Sequence, residues 1–207
     1  MRVDIWSDVV CPWCAIGVAR FERALQGYTG AIDVRLHPFQ LDPQAPIPGV
    51  PARLRYDERF GEESGPMLAR VTAAAEEEGL RFDFDRALSA NTFDAHRAIA
   101  YARAFGADRA MERRLFSAYF SEGMDVSDRA TLVAAGSEIG LDRGDLARYL
   151  ESDRGVAALL DELNDAFERG ITSVPTFVFE EEFAVPGAVD TGTFTRIFEQ
   201  MRALEAR

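Results

Sequence analysis

Apolar and polar positions at the start of the chain predict a β-α-β unit. Residues 2–6 form a short run of β-favouring side chains that is bounded by polar residues. Apolar side chains then recur at helical spacing over residues 16–25, and Gly27 is a typical helix end. Residues 31–36 alternate between apolar and polar, which predicts a second strand that continues toward Phe39.

The middle of the chain is predicted to be mostly helical. Five of the nine prolines lie between Pro38 and Pro51, which excludes a regular helix there and predicts an extended crossover. From about residue 67 to residue 163 the apolar spacing is helical almost throughout, and glycines mark several helix ends. The predicted helices cover residues 66–78, 92–105, 108–121, 129–139, 143–151 and 154–169.

The C-terminal part of the chain returns to strands and closes with a helix. Residues 175–179 and 183–185, separated by a charged turn, predict a β-hairpin. Residues 191–204 carry apolar side chains on one side, which predicts an amphipathic helix. The element order is therefore β-α-β, a long and mostly helical segment, then β-β-α, which is an α/β architecture.

Composition and charge narrow the class of protein. The chain has 207 residues, of which 47% are hydrophobic, enough for one large domain or a domain with an insertion. Its net charge of −12, from 23 basic and 35 acidic side chains, disfavours nucleic acid and anionic membrane surfaces as partners. No apolar run is long enough for a transmembrane helix and no signal peptide is recognisable, so we expect a cytoplasmic protein.

The two cysteines, Cys11 and Cys14, lie where the first predicted strand gives way to the first helix. Free N–H groups and the dipole at a helix start stabilise an anion, so we expect the thiolate form of Cys11 to be favoured. Cys14, about one turn later, lies on the same helix face and would close a disulfide. Pro12 suits the first helical turn, and Trp13 is expected to be an exposed, flat apolar platform for a substrate.

A redox role for this pair competes with three alternatives. A structural staple across so short a loop would contribute at most roughly 2 kcal/mol, which a chain of this length does not need. A zinc site would need four ligands, and only His37 and His96 are left to complete the set. The third alternative is that the two cysteines are incidental and have no role as a pair. A Cys-x-x-Cys pair beside a β-α-β pattern favours redox chemistry.

Three further polar residues are candidates for a role near the cysteines. Asp8 either caps the helix that follows or accepts a proton, and capping is the preferred interpretation. Asp4 would be a buried carboxylate able to shuttle the proton of Cys14 if its side of the sheet is covered. His96 is either a satisfied core histidine or a polar group that faces the disulfide or a ligand.

The layout around the Cys-x-x-Cys motif resembles a thioredoxin fold split by a helical insertion, as in the DsbA-like superfamily. Within this superfamily the chain resembles the FrnE-like branch. The segments that carry this resemblance are residues 3–14 (Val-Asp-Ile-Trp-Ser-Asp-Val-Val-Cys-Pro-Trp-Cys), 38–41 (Pro-Phe-Gln-Leu), 91–92 (Asn-Thr) with 95–96 (Ala-His), and 171–177 (Ile-Thr-Ser-Val-Pro-Thr-Phe). The resemblance implies a thioredoxin-like domain of residues 1–45 and 170–207 and an inserted helical domain of residues 46–169.

The same resemblance implies a thiol–disulfide oxidoreductase. Cys11 would form a mixed disulfide with a cysteine-containing protein or peptide, and Cys14 would resolve it. The family has a cis proline before its third strand, which matches Pro175, so that Val174 would pair with an extended substrate. The Cys11–Cys14 disulfide would need no metal or organic cofactor, glutathione is a candidate co-substrate, and we expect a monomer or a homodimer.

One position departs from the family pattern. An aromatic residue usually follows the second cysteine, and Ala15 stands there instead, which we expect to widen the groove beside the disulfide. The expected substrate-binding residues are Pro12, Trp13, His96, Val174 and Pro175.

Two other functions stay open as alternatives. Glutathione-dependent isomerases and transferases of the kappa and hydroxychromene-carboxylate isomerase type share this architecture. They use a single serine or cysteine at the position of Cys11, and the presence of Cys14 argues against them. A peptide-binding holdase would use the same cleft without turnover.

Overall fold

The computed structural model describes residues 1–205, and its elements follow the predicted order. The strands are β1 (Arg2–Ser7), β2 (Asp33–Pro38), β3 (Val50–Pro51), β4 (Leu88–Ser89), β5 (Thr176–Phe179) and β6 (Phe183–Pro186). The helices are α1 (Pro12–Gln26), α2 (Ala52–Phe60), α3 (Ser64–Glu77), α4 (Phe93–Arg103), α5 (Asp108–Phe120), α6 (Arg129–Glu138), α7 (Arg143–Glu151), α8 (Val156–Glu168) and α9 (Thr191–Glu205), with a 3-10 turn at Gly61–Glu63.

The main sheet has the strand order β2-β1-β5-β6, which places β1 in its interior. β1 runs parallel to β2 and antiparallel to β5, so that Ile5 lies opposite Leu36 on one side and Phe177 on the other. Val3 and Ile5 are buried, as expected for a strand that is paired along both edges. This is the thioredoxin-like α/β arrangement expected from the sequence, with a helical segment inserted between β2 and β5.

Aromatic side chains fix α1 and α9 to one face of this sheet. The ring of Phe21 in α1 lies 5.4 Å, centroid to centroid, from the rings of both Phe177 in β5 and Phe194 in α9. Phe177 and Phe194 are themselves 4.7 Å apart. Buried aromatic pairs of this kind add packing energy beyond the area they bury. The cluster therefore gives α1, which begins just after Cys11, a firm support.

The predicted helices of the inserted segment are confirmed within a few residues at each end, and one helix was missed. The extended crossover ends at Pro51 as predicted, but the next residues fold as α2. β3 pairs with β4 as a second, two-stranded sheet beside α2. None of the helices in residues 1–205 combines the length and the apolarity needed to cross a membrane.

The proposed division into two domains stays a prediction. α8, the last helix of the segment predicted to be inserted, packs against β2 of the main sheet.

Gly106 and Gly170 follow α4 and α8 with φ values of +65° and +72°, a left-handed conformation that glycine adopts without steric cost. These two predicted helix ends are confirmed.

Arg97 joins α4 to the end of α7. Its guanidinium group donates to the carbonyl oxygens of Tyr149, Leu150, Ser152 and Arg154 over 2.5–3.1 Å. The last carbonyl groups of a helix lack partners inside the helix, and here one buried side chain provides them. Arg97 therefore links two helices of the inserted segment through main-chain atoms.

Candidate active site

Cys11 ends the loop after β1 and is the N-cap residue of α1. Its backbone is extended, with φ −86° and ψ 112°, and Pro12 takes the first helical position as predicted. The backbone N–H of Cys14 donates to Cys11 Sγ over 3.3 Å. An N–H group at a helix start is a suitable donor to a sulfur that carries negative charge during exchange.

Cys14 lies behind Cys11 and is completely buried, whereas Cys11 is 4% exposed. Burial, followed by the hydrogen bond and the charge of Cys11, raises the pKa of the Cys14 thiol well above its ordinary value. Both cysteines are free thiols in this structure. The pair therefore consists of one sulfur at the surface of a cleft and one protonated sulfur in the interior.

The loop before β5 faces the cysteine pair. Cys11 Sγ lies 3.7 Å from the carbonyl oxygen of Val174, and the Val174–Pro175 peptide bond is cis. Pro175 packs on α1 where Gly17 leaves room, since a Cβ at Gly17 would lie 2.9 Å from Pro175 Cγ. The structure thus brings Val174 and Pro175 to Cys11, although Val174 and Cys11 are 163 positions apart in the chain.

A cavity of about 590 Å³ opens in front of Cys11. Pro12, Trp13 and Val174 line it, and Trp13 is 41% exposed, as expected for a residue between the two cysteines. This volume is in the range of sites that hold small molecules or short peptide segments. The opposite wall comes from α2, which contributes Ala52, Arg55, Tyr56, Glu58, Arg59 and Phe60.

Asp8 does not cap α1, so the preferred interpretation of this residue was wrong. The N-cap position belongs to Cys11, and Asp8 contributes only its backbone carbonyl, which accepts the N–H of Cys11 over 3.0 Å. The carboxylate is buried, and its Oδ2 accepts the backbone N–H of Leu41 over 2.8 Å. Asp8 Oδ1 has no hydrogen-bond partner within residues 1–205.

His96 is buried on α4 beside Asp8 and lies outside the lining of the cavity. Its Nε2 is 2.9 Å from the carbonyl oxygen of Phe39 and 3.3 Å from Asp8 Oδ1. Since a carbonyl oxygen only accepts, Nε2 carries a hydrogen that is directed at Phe39. His96 therefore has the contacts of a satisfied core histidine, and this placement gives no support to a direct contact with substrate.

Asp4 is buried, as considered for a proton shuttle, but its carboxylate is engaged elsewhere. Oδ1 lies 2.7 Å from His37 Nε2, and Oδ2 lies 2.7 Å from Arg2 Nε. Burial alone would raise the pKa of Asp4, but the hydrogen bonds from Arg2 and His37 outweigh it and the pKa is lowered. The carboxylate is therefore held in its charged form by these two partners, which does not suit a shuttle for Cys14.

Ala15 does not lie beside the cysteine cleft, which corrects the expectation of a wider groove there. It lines a separate cavity of about 510 Å³ between α1 and α5, together with Val18 and Phe116. Successive helix positions turn by about 100°, so Ala15 projects from almost the opposite side of α1 to Trp13. The size of residue 15 therefore affects the contact between α1 and α5.

The aromatic cleft residues Tyr56 and Phe60 of α2 and Tyr119 of α5 are among those that escaped sequence reasoning. The residues of α2 are mostly charged, and Ala52 is its one buried residue, so no apolar stripe marks this helix. One usable signal was Pro51 directly before Ala52, because proline is frequent at helix starts.

Residues 1–205 contain no group of three or more His, Cys, Asp or Glu side chains arranged to hold a metal ion.

The chain matches a known protein family over almost its whole length. The model of the DSBA-like thioredoxin domain matches residues 2–199, nearly the whole chain. The chain belongs to the DsbA-like thioredoxin family. The sequence-based expectation of a DsbA-like fold is thereby confirmed, with the cleft of this DsbA-like protein formed between the cysteine motif and the inserted helices.

Individual relatives support the assignment. This DsbA-like chain is 30% identical to a probable DsbA oxidoreductase from Streptomyces coelicolor, with a TM-score of 0.90 over 97% of this chain and 89% of that structure. It is 25% identical to DsbM, a cytosolic disulfide reductase from Pseudomonas aeruginosa solved with glutathione, with a TM-score of 0.69 and complete coverage of both chains. The Bacillus subtilis protein YwbO is 26% identical over 95% of this chain and 94% of its own length.

Proposed function

We propose that this protein is a thiol–disulfide oxidoreductase that exchanges disulfides with cysteine-containing proteins or peptides through Cys11 and Cys14. The proposal rests on the different positions of the two cysteine sulfurs. Cys11 Sγ lies in the wall of the cleft and accepts the N–H of Cys14, while the Cys14 thiol is buried directly behind it. A nucleophilic sulfur with a protected resolving sulfur is the arrangement that two-step exchange requires.

The exchange consists of two displacements at sulfur. In the reducing direction the Cys11 thiolate attacks one sulfur of a substrate disulfide, a Cys11–substrate bond forms, and the other substrate sulfur leaves with the electron pair and takes up a proton. Cys14 then loses its proton and attacks Cys11 Sγ, which releases the second substrate thiolate and leaves a Cys11–Cys14 disulfide. The oxidising direction reverses both steps.

Val174 supports the binding of an extended substrate in this proposal. Its carbonyl oxygen accepts from the Cys11 thiol over 3.7 Å in the reduced protein. When Cys11 forms a mixed disulfide the thiol hydrogen is lost, and this carbonyl becomes available to a backbone N–H of the substrate. Such a contact is a short β-augmentation, in which main-chain hydrogen bonds hold the substrate next to the reacting sulfur.

Two finer assignments belong to the same proposal. We place the protein in the FrnE-like branch, on the Cys-Pro-Trp-Cys motif at 11–14 and the Val-Pro-Thr-Phe segment at 174–177. We also propose that it acts in the cytoplasm with glutathione as a co-substrate. The similarity to a cytosolic disulfide reductase solved with glutathione supports this view.

An insulin-reduction assay with glutathione tests the proposal. We expect turnover by the wild-type protein and loss of turnover in Cys11→Ser and Cys14→Ser, because the first lacks the nucleophile and the second cannot resolve the mixed disulfide. The Cys14→Ser protein should accumulate a mixed disulfide that intact-mass measurement detects. Turnover that survives in Cys14→Ser would instead favour a glutathione-dependent single-cysteine enzyme. No turnover in any of the three proteins would favour a holdase.

A further inference from the structure

Two tyrosine hydroxyl groups lie in the cleft that contains Cys11. Tyr56 of α2 and Tyr119 of α5 both line the cavity. The ring of Tyr56 is held edge-on against Phe84 at 5.8 Å and beside Phe60 at 6.2 Å. Tyr119 is 2% exposed. Both rings are therefore fixed by packing, which orients their hydroxyl groups.

Neither hydroxyl group has a hydrogen-bond partner within residues 1–205, and neither oxygen is among the fully buried polar atoms that lack one, so both are accessible from the cavity. Each hydroxyl group can therefore exchange a water molecule for an acceptor on a bound ligand. Burial, followed by the charge of Cys11, raises the pKa of Tyr56 to about 12. Burial, followed by Tyr56 and Asp8, raises the pKa of Tyr119 well above its ordinary value. Both hydroxyl groups thus keep their protons and are donors.

The charges around these donors select the kind of acceptor. Asp8 contributes a buried carboxylate to the same cavity, and Cys11 carries negative charge whenever it reacts as a thiolate. A second carboxylate, brought by a ligand, would be repelled by these two groups next to Cys11, although Arg59 of α2, whose charge also acts on Tyr56, would attract it. A neutral acceptor is not repelled, and the commonest neutral acceptor next to a cysteine in a polypeptide is a peptide carbonyl oxygen.

We propose that Tyr56 and Tyr119 form a carbonyl-binding subsite, which holds a peptide group adjacent to the substrate cysteine that reacts with Cys11. The inference deepens the proposed function and rests on it: the substrates are peptidic thiols and disulfides, and the two hydroxyl groups discriminate against thiols that lack an amide. Together with the Val174 carbonyl oxygen, which lies 3.7 Å from Cys11 Sγ, the two tyrosines give the cavity both donors and an acceptor for a substrate backbone.

The test measures mixed-disulfide formation at equilibrium, which does not depend on turnover. In Cys14→Ala protein, Cys11 exchanges with a small disulfide RSSR to give the Cys11–S–S–R protein and one free thiol RSH, so atoms and electrons balance. Three thiols with their disulfides are compared by intact-mass measurement. N-acetylcysteine N-methylamide has a neutral amide on each side of the cysteine, N-acetylcysteine keeps the acetyl amide but has a carboxylate in place of the other, and 2-mercaptoethanol has neither group.

Tyr119→Phe and Tyr56→Phe, each made in the Cys14→Ala protein, remove only a hydroxyl group. We expect each to lower the equilibrium constant for the N-methylamide by about three- to tenfold, the net value of one hydrogen bond. The constant for 2-mercaptoethanol should not change. Tyr101→Phe is the matched control, because Tyr101 packs on Phe105 and Tyr149 away from the cavity. It should change none of the constants.

Three results would overturn the subsite. If the equilibrium constants for the N-methylamide and for 2-mercaptoethanol fall equally in the tyrosine variants, the hydroxyl groups act on the Cys11 sulfur itself. A larger fall for N-acetylcysteine than for its N-methylamide would mean a carboxylate subsite, and unchanged constants for all three thiols would mean no subsite. Failure of insulin reduction by the wild-type protein would count against the proposed function alone, since these constants stay measurable without turnover.

Discussion

Ser7 donates a hydrogen bond from its hydroxyl group to the buried carboxyl group of Glu112, which joins the end of β1 to α5. Burial raises the pKa of Glu112 to about 7. The Ser7 hydrogen bond and the charge of His96 act in the opposite direction, while Glu22 and Asp108 add to the increase. The contact between the strand that leads to the cysteines and the inserted helices therefore contains a carboxyl group that titrates near neutral pH.

We predict that the wild-type protein loses stability relative to Glu112→Gln as the pH rises from about 4.5 to about 7. Over this range the folded state keeps the Glu112 proton, whereas the unfolded chain, with the ordinary pKa of 4.5, releases it. The stabilisation that this proton provides is complete below the pKa of Glu112 in the unfolded chain. It is lost as the pH rises through the pKa of Glu112 in the folded protein. The loss should total about 3 kcal/mol and then level off.

Urea unfolding of the two proteins at a series of pH values measures this difference. The control is Glu62→Gln, which removes an exposed carboxylate on the 3-10 turn. A constant difference between wild-type and Glu112→Gln proteins across the range would contradict the prediction.

The two thiols should react with alkylating agents in a fixed order. Cys11 is in the cleft, whereas Cys14 has no exposed surface and a raised pKa, so iodoacetamide near pH 7 should label Cys11 first. We expect Cys14 in Cys11→Ser protein to be labelled at least about tenfold more slowly than Cys11 in Cys14→Ser protein. Peptide mapping that finds Cys14 labelled first would show that the assignment of the nucleophile is wrong.

Replacing Arg97 by lysine should destabilise the protein by about 2–4 kcal/mol, because a single ammonium group cannot satisfy four carbonyl oxygens, two of them buried. Arg129→Lys is the matched control: Arg129 also pairs with Asp94, but it is about half exposed, so its replacement should cost less than about 1 kcal/mol. Urea midpoints at unchanged m-values measure both effects. Equal shifts in the two variants would mean that Arg97 does no more than pair with Asp94.

Leu41 should contribute to the binding of peptide substrates. It lines the cavity and is 49% exposed. When a substrate covers the exposed half of this side chain, the buried apolar area should contribute roughly 0.5–1 kcal/mol of binding free energy, or about two- to fivefold in affinity. Leu41→Ala should raise KM for an unfolded peptide disulfide by that factor and leave the exchange with dithiothreitol unchanged. Leu160→Ala is the control, since Leu160 on α8 is 47% exposed but far from the cleft lining. A similar rise in KM in both variants would refute a binding role for Leu41.

Unfolded substrates should exchange faster than folded ones. Cys11 is only 4% exposed and α2 stands opposite to it, so a substrate disulfide must enter the cleft on a flexible segment. Side-by-side rates on the native and the unfolded forms of one disulfide-containing protein measure the effect. Equal rates would show that α2 does not restrict access to the cysteine pair.

The sequence predicted the sheet, most helices and the cysteine site because each has a local signature. Alternation marks β2, helical spacing marks α4 to α8, and the Cys-x-x-Cys motif follows a strand directly. α2 has no such signature, because Ala52 is its one buried residue and its aromatic side chains Tyr56 and Phe60 line the cleft. A helix that lines a cavity shows less apolar periodicity than one that packs on a sheet.

The partners of individual polar side chains were harder to predict than the elements that carry them. Asp8 looked like a helix cap from its position before Cys11, yet its carboxylate bonds to Leu41, which approaches only in the folded chain. Ala15 was assigned to the wrong cavity because the rotation of α1 relative to the inserted helices cannot be read from spacing. Both errors concern contacts between segments distant in sequence, for which one sequence holds no direct signal.

The separation between Cys11 and Val174 has a consequence for synthesis of the protein. A ribosome releases the N-terminal cysteines before it has made Val174 and β5. During that interval β1 lacks β5 along one edge, and Cys14 lacks the surroundings that keep its proton. The nascent chain therefore presents two accessible thiols to any oxidant or thiol in the medium. We expect its yield of active protein to depend on the redox state of the compartment in which translation takes place.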